Sequence, residues 1–330
     1  MTVQIDCIGG ENGLAALLPE WEALWERVAD ATPFQSPAWL VAWWRHFGTG
    51  APRILTARHT GILVGILPLY ELLEPGCRKL LPIGVGLSDY LDALVDPAAP
   101  GIADQLLAAV GDIPGWDECH LADLPAGSAL AAARRPPALE ETTADTVPCP
   151  VLSLPCNANE LASVVPRKTL RDAHQAQMRS LAAGGVSLQR ADTDTLAPIM
   201  QDLFMLHAKR WKTRGESGVC ADPAVRAFHS DAARSLARAG MLRLYRLKIG
   251  EVVAAVYYGF CSDGRAYAYL GGFDPDMPRL SPGAQVLHHA ICAAIGEGAR
   301  EFHFLRGSES YKYAWGAIDR WNRARTFRRA

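Results

Sequence analysis

Residues 265–316 read RAYAYLGGFDPDMPRLSPGAQVLHHAICAAIGEGAREFHFLRGSESYKYAWG, and the order of elements they encode decides the fold. RAYAYLGGF alternates as a strand and carries the flexible pair Gly271–Gly272. SPGAQVLHHAICAAIGEG predicts a helix with Ser281 as its cap and Pro282 at its first position, where a missing N–H costs nothing. REFHFL predicts a further strand, and ESYKYAWG a short helix.

Working outward, MLRLYRLKIG and EVVAAVYYGFC form a hairpin turning at Gly250. Before it come ELASVVPRKTLRDAHQAQMRSLAAGG as one helix ending on Gly184–Gly185, then VSLQRA as a strand. Two more helices follow, LAPIMQDLFMLHAKRWKTRG and PAVRAFHSDAARSLARAG, each closed by glycine. The first half has the same order: strand VQIDCI, helices at 14–29 and in FQSPAWLVAWWRHF, and a hairpin at Thr60–Gly61. KLLPIGVGLSDYLDALVD then gives a strand, a Gly-rich turn and an extended piece, before helix IADQLLAAVGDI and strand ECHLADL. The Ala-, Pro- and Thr-rich stretch Pro125–Pro150 reads as the crossover between halves. The expected fold is therefore α/β, with two tandem halves at 1–150 and 151–330. Each should be a mixed twisted sheet flanked by helices.

Composition narrows the class. A chain of 330 residues with 49% hydrophobic and 21% charged residues can build large cores. A formal net charge of −2 supplies no long-range attraction to nucleic acid or anionic lipid. The closing arginines 320, 323, 325, 328 and 329 read as a solvated face or frayed tail. Eight scattered cysteines contain no CxxC, which argues against a zinc ribbon and for reduced thiols. No signal peptide and no apolar run of spanning length is visible, so a cytoplasmic protein without a transmembrane segment is expected. Phosphate-loop and nucleophile-elbow motifs are missing, and His288–His289 has no metal-binding context.

Four segments carry a resemblance: FQSPAWLVAWWRHF with GILVGILPLY; SDYLDALVD at 88–96; LHAKRW at 206–211; and FDPDMPRLSPGAQVL with HFLRGSESYKYAWG. Together they resemble GNAT-superfamily acyltransferases of the BioF-like or cellulose-biosynthesis-associated branch, related to FemAB-type transferases. That resemblance implies two GNAT-like halves, with an acyl-CoA (acetyl-CoA first) as donor. A small-molecule, saccharide or envelope-precursor acceptor is also implied, with the acceptor side in 1–150 and the donor side in 151–330. GNAT donor sites carry Q/R-x-x-G-x-G/A. Here Arg279 and Ala284 are in register with it, but Pro282 stands at the first glycine. The resemblance leaves open an aminoacyl-tRNA-dependent peptidyltransferase or an inert GNAT-fold subunit of a polysaccharide assembly.

Elementary chemistry gives the residues roles. A helix start leaves N–H groups unpaired and suits a pyrophosphate, so Ser281, Gly283 and Ala284, with the charge of Arg279, form the candidate donor site. The bland alternative is a capped helix start without a ligand. Gly271 and Gly272 permit backbone approach to a donor arm, or mark a bulge. Acyl transfer needs a base for the attacking amine or hydroxyl and a group to steady the leaving thiolate. His207 is the base candidate by its near-neutral pKa, a core histidine being the equal alternative. Within the family-like segment, Tyr311 is assigned to protonating the thiolate and Lys312 to catalysis beside it. Glu309 and Lys312 also suit a plain surface pair. Asp89, Tyr90, Asp92, Trp211, Arg306 and Glu309 are the candidate acceptor contacts. On a strand, Asp89 and Asp92 would lie on opposite faces, one of them serving as a turn cap. No metal is expected.

Overall fold

The structure, a computed structural model, describes residues 3–329. In chain order its elements are β1 (Val3–Ile8), α1 (Gly10–Arg27), α2 (Pro37–Phe47), β2 (Ala51–His59), β3 (Ile62–Glu74), β4 (Cys77–Pro82), β5 (Leu94–Val95), α3 (Ile102–Val110), β6 (Glu118–Leu124), α4 (Ala129–Ala132) and β7 (Leu139–Ser153). They continue with α5 (Arg167–Ala182), β8 (Val186–Arg190), α6 (Leu196–Lys212), α7 (Pro223–Arg238), β9 (Leu242–Ile249), β10 (Val252–Ser262), β11 (Arg265–Phe273), α8 (Pro282–Gly296), β12 (Glu301–His303), α9 (Ser310–Ala314) and β13 (Ile318–Arg329). The chain forms two compact units. One holds the residues through Pro148 and those from Arg320 on; the other is Cys149–Asp319.

In the first unit the strands run β1-β2-β3-β4-β6-β13-β7. The sheet is mixed: β4 and β6 are parallel, while β1–β2, β2–β3 and β6–β13 are antiparallel. Thr60 (φ 48°) and Gly61 (φ 83°) close the β2–β3 hairpin with both central residues at positive φ, the mirror-image turn whose twist suits paired strands. Helix α1 turns Leu14, Leu17, Trp21 and Leu24 inward at helical spacing. Ser36 caps α2 by accepting the N–H of Trp39. Leu67, Leu69, Leu106, Trp116 and Leu121 belong to one buried cluster of this unit.

The closing arginines are not a frayed tail. Residues 318–329 form β13, in register with β6 from Arg323–Leu124 to Arg328–Glu118. Arg325 is 5% exposed. Its guanidinium meets both Glu141 oxygens at 2.7 and 3.1 Å and the carbonyl of Ala133 at 2.8 Å. A buried arginine is tolerable when its donors are filled in this way. Pro125–Pro150 is likewise ordered, as α4 and most of β7. The unit containing 149–319 therefore ends before the chain does, whereas the sequence reading carries the second half to residue 330.

In the second unit the strand order is β7-β12-β11-β10-β9-β8, with residues 151–153 of β7 pairing β12. Only β11–β12 is parallel; the other pairs are antiparallel. The segment expected as one helix from Glu160 is broken. A 3-10 turn covers Ala158–Ser163 and α5 begins only at Arg167, because Pro166 disfavours helical backbone in the residue before it. Helices α6 and α8 both pack on β10 and β11. Successive residues of β11 point to opposite faces, so Gly272 meets α6 while Phe273 meets the start of α8.

Candidate functional site

The site begins where β11 and β12 part. Their pairing covers only Arg265–Tyr267 against Glu301–His303, while β11 runs on to Phe273. After His303 the chain stays beside β7, with Phe304 N–H donating to Pro150 O at 2.9 Å. It then turns through Leu305 (φ 61°) and Gly307 (φ 109°). Residues 268–273 of β11 thus have an edge unpaired by β12. Within this run Tyr269 is the extra residue of a bulge against β10, where Tyr258 pairs Leu270 and Gly259 pairs Ala268.

At the end of β11 the ring of Phe273 lies against the first turn of α8: a Cβ built on Gly283 would stand 3.0 Å from its Cδ1. The helix start is not built as its sequence suggests. Ser281 sits in left-handed backbone (φ 43°, ψ 54°), and its hydroxyl donates to Pro278 O at 3.2 Å instead of capping the helix. Ser281 O accepts from the N–H groups of Ala284 and Gln285, and Pro282 has no N–H. The N–H of Gly283 is left without an acceptor among the described residues, the kind of donor an anion completes. Arg279 is exposed, and its carbonyl is held by Arg179 Nε of α5 at 2.8 Å. Gln285 fastens the same corner, donating to Ser180 Oγ at 2.8 Å and Leu280 O at 2.6 Å.

Helix α6 organises the other side, which explains the LHAKRW stretch residue by residue. Lys209 pairs with Asp274 at 2.6 Å and Asp276 at 2.8 Å, clamping the loop between β11 and α8. Burial, the largest single influence, raises the Asp274 carboxyl, but the Lys209 hydrogen bond, the Asp276 N–H and the Lys209 charge together outweigh it and leave the group below its usual range. Arg210 lays its guanidinium over the Phe273 ring, 4.7 Å from the centroid. Leu206 and His207 pack on Gly272, whose absent Cβ would lie 2.8 Å from Leu206 Cβ and 3.0 Å from His207 N. Gly272 is therefore a close helix–strand contact, while Gly271 has ordinary room, with Val256 O at 3.6 Å.

His207 is 2% exposed, beneath Gly218 and beside Trp211, with ring centroids 5.8 Å apart. Burial, then the charge of Arg210, push its pKa down to about 4. Its Nδ1 has no hydrogen-bond partner. A buried imidazole of that pKa is neutral at pH 7 and a weak base, so the geometry suits packing better than proton abstraction. Trp211 is partly buried in the same cluster.

Beyond the parted strands, Lys312 is 2% exposed. Its ammonium donates to the carbonyls of Leu305 (3.0 Å), Arg306 (2.6 Å) and Gly307 (3.1 Å) and pairs with Glu309 at 2.9 Å. It holds the loop in which Leu305 adopts a left-handed conformation costing about 1–2 kcal/mol. With every donor engaged, Lys312 positions the loop and has no lone pair for chemistry. Tyr311 next to it is 46% exposed. Partial burial, then the Glu309 carboxylate, push its hydroxyl up to about 12, with Arg210 pulling the other way. Phe273, Arg210, Glu309 and Tyr311 thus form one constellation at the parted strands. Sequence reasoning missed Phe273 and Arg210. The signal for both was position, directly after the Gly271–Gly272 pair and one helical turn after His207.

The first-unit candidates lie in a loop after β4, not on a strand. Asp92 accepts the N–H groups of Ala129 (2.7 Å) and Leu130 (2.8 Å), capping α4. Burial outweighs these bonds and pushes its pKa up to about 7. Asp89 and Tyr90 are buried; the carbonyl of Asp89 accepts from Asn322 at 2.7 Å, and Tyr90 meets the Phe34 ring edge-on at 6.1 Å. An open cleft of about 390 Å³ in the second unit, beside Arg190, Asp192 and Arg238, contains none of the predicted residues. Among the described residues no group of His, Cys, Asp and Glu could hold a metal ion, and no helix is long and apolar enough to cross a membrane.

Parted parallel strands, a bulge just after the parting and a helix start at its mouth make up this site. Residues 167–313 match the family described as Acetyltransferase (GNAT) domain, and this segment contains the constellation just described. Among solved structures the chain is similar to FemX, at 11% identity and TM-score 0.68, covering 93% of this chain and 95% of that one. It is also similar to a conserved protein of unknown function from Bacteroides thetaiotaomicron (10%, TM-score 0.62, covering 94% and 97%). A third likeness is to L-PGS from Bacillus licheniformis (12%, TM-score 0.55, covering 89% and 92%). At such identities these likenesses speak for the fold alone. None of the curated proteins matches the sequence.

Proposed function

We propose that the chain transfers an acyl group, acetyl first, from acyl-CoA to an amine or hydroxyl of a small-molecule, saccharide or envelope-precursor acceptor in the cytoplasm. The observation that carries the donor is the edge of β11 that β12 leaves beyond Tyr267, at Ala268 and residues 270–273, leading to the α8 start with its unpartnered Gly283 N–H. An extended amide-bearing arm can pair with such an edge, and a pyrophosphate can complete such a helix end. Tyr311, holding its proton at neutral pH, donates to the developing thiolate. Lys312 fixes the loop that presents it, and Phe273 with Gly283 shapes the floor. The acceptor class rests on the resemblance of the quoted segments to the BioF-like and cellulose-associated branch.

The test is ligand-induced stabilisation of the full chain. A ligand binding only the folded state adds about 2.7 kcal/mol at 100 Kd, so CoA or acetyl-CoA should raise Tm by several degrees. Gly271→Glu suits the control better than a change at Gly283, because a Cβ at 271 meets no crowding while one at 283 presses on Phe273. It should fold normally and lose most of the shift, and Arg279→Ala should lose less. An undiminished shift in Gly271→Glu would move the donor elsewhere. No shift with any CoA ester would turn the reading to an aminoacyl-tRNA donor or an inert fold.

A further inference from the structure

On α6, beside the proposed donor site, stands a half-buried guanidinium that the protein does not neutralise. Arg210 Nε is buried and has no hydrogen-bond partner, and the side chain makes no ion pair among the described residues. Its guanidinium lies over the Phe273 ring. Arg214 lies one helical turn on, its guanidinium 5.4 Å from the Trp211 ring centroid, and adds a like charge at i,i+4. His207, three residues before Arg210, buries an Nδ1 that is also without a partner. Burial and the charge of Arg214 both make the charged state of Arg210 costlier, with Tyr311 and Glu309 opposing them.

Basic residues in a last helical turn commonly just offset the helix dipole. Lys212 and Arg214 are exposed and fit that account, and Lys209 has its two aspartates. Arg210 does not fit it, because a dipole contact needs no burial of Nε. Desolvating a guanidinium without an anionic partner costs stability, and its planar fork is made for two anionic oxygens at once. Glu309 is close enough to act electrostatically, but its carboxylate is bonded to Lys312.

We propose that Arg210, supported by Arg214, binds an anionic oxygen group, carboxylate or phosphate, on the acceptor, and so selects acceptors that carry one near the attacking amine or hydroxyl. This rests on the donor reading above. Phe273 holds the guanidinium flat, and the anion brings the acceptor's nucleophile to the side of the parted strands where Tyr311 stands. The acceptor is thereby narrowed from any amine or hydroxyl to anionic amino compounds or sugar phosphates.

The experiment uses the full chain saturated with CoA and paired amino probes that differ only in charge: glucosamine 6-phosphate against glucosamine, and glycylglycine against glycylglycinamide. Calorimetric titration should show at least tenfold tighter binding of the anionic member of one pair, and the pair that responds identifies phosphate or carboxylate. In Arg210→Met, which keeps the stem on Phe273, the preference should vanish while the CoA-induced Tm shift stays. Unliganded Arg210→Met should melt at or above the wild-type temperature, since an uncompensated charge is gone. Arg210→Lys should restore part of the preference. No preference for either anion, or one surviving in Arg210→Met, overturns the proposal. A lower unliganded Tm in Arg210→Met would make the guanidinium structural. Loss of CoA binding in that variant would assign Arg210 to the donor's phosphates and also overturn it. Failure of wild type to bind CoA at all is the separate failure of the donor reading.

Discussion

At the scale of single residues, neighbours in sequence divide sharply in role. Tyr311 is half exposed and Lys312 is buried with all its donors used. Tyr311→Phe is expected to lower kcat roughly 10²-fold with KM and Tm nearly unchanged, measured by steady-state kinetics beside thermal melts. Lys312→Met strands three carbonyls and the Glu309 carboxylate. Breaking a buried pair costs about 3–5 kcal/mol, so its Tm should drop by many degrees. A Lys312→Met enzyme with wild-type Tm and no activity would return the lysine to catalysis. The sequence singles out this segment but could not rank the two residues, because spacing on a short helix does not tell which side chain faces a loop's carbonyls. His207 was legible as a near-neutral titrating group and equally as a core residue. The deciding fact, its burial under Gly218, comes from a residue eleven positions away on the following loop.

At the scale of elements, strand and helix order followed from periodicity, and the exceptions have local causes. Pro166 splits one expected helix, and Asp92 is drawn off its expected strand to cap α4. Strand β13 escaped because its arginines read as solvated. Its pairing with β6 and the contacts of Arg325 to Glu141 are non-local and leave no trace in spacing. The β11 glycines looked alike in sequence, yet they differ in what faces them. Gly272→Ala would force Leu206 and the α6 backbone away, an overpacking that typically costs about 1–3 kcal/mol. Gly271→Ala should stay within a few tenths of a kcal/mol. Urea unfolding of the two variants measures this directly, and equal losses would refute the account of α6 seated on Gly272.

At the scale of the whole molecule, a repeated order of elements was legible in the sequence. The assignment of the last residues was not, since nothing local says which sheet a closing strand joins. The two units also carry buried titrating groups of opposite sign, which makes pH a probe of each. In the second unit burial pushes His207 down to about 4, and burial with His207 pushes His229 down to about 3, so both stay neutral when folded. Between pH 6.5 and about 4 the unfolded chain binds more protons at these sites. Their contribution is complete above pH 6.5 and is lost on acidification, at about 1.4 kcal/mol per pH unit for each histidine. In the first unit Asp92 is raised to about 7, so the folded state holds the extra proton between the ordinary carboxylate value and about 7. Its contribution is complete at acid pH and is lost as pH rises through 7. Stability of wild type, His207→Gln and Asp92→Asn, taken from urea unfolding at half-unit steps between pH 4.5 and 7, separates the two. His207→Gln should lose less stability on acidification than wild type, by about one proton's slope, and Asp92→Asn should lose more. Because Asp92 opposes the histidines, wild type should lose stability on acidification with about one proton's slope, shallower than the roughly two protons' slope of the two histidines alone. If His207→Gln instead tracks wild type at every pH, the imidazole takes up its proton while folded, and His207 is accessible enough to act as a base after all.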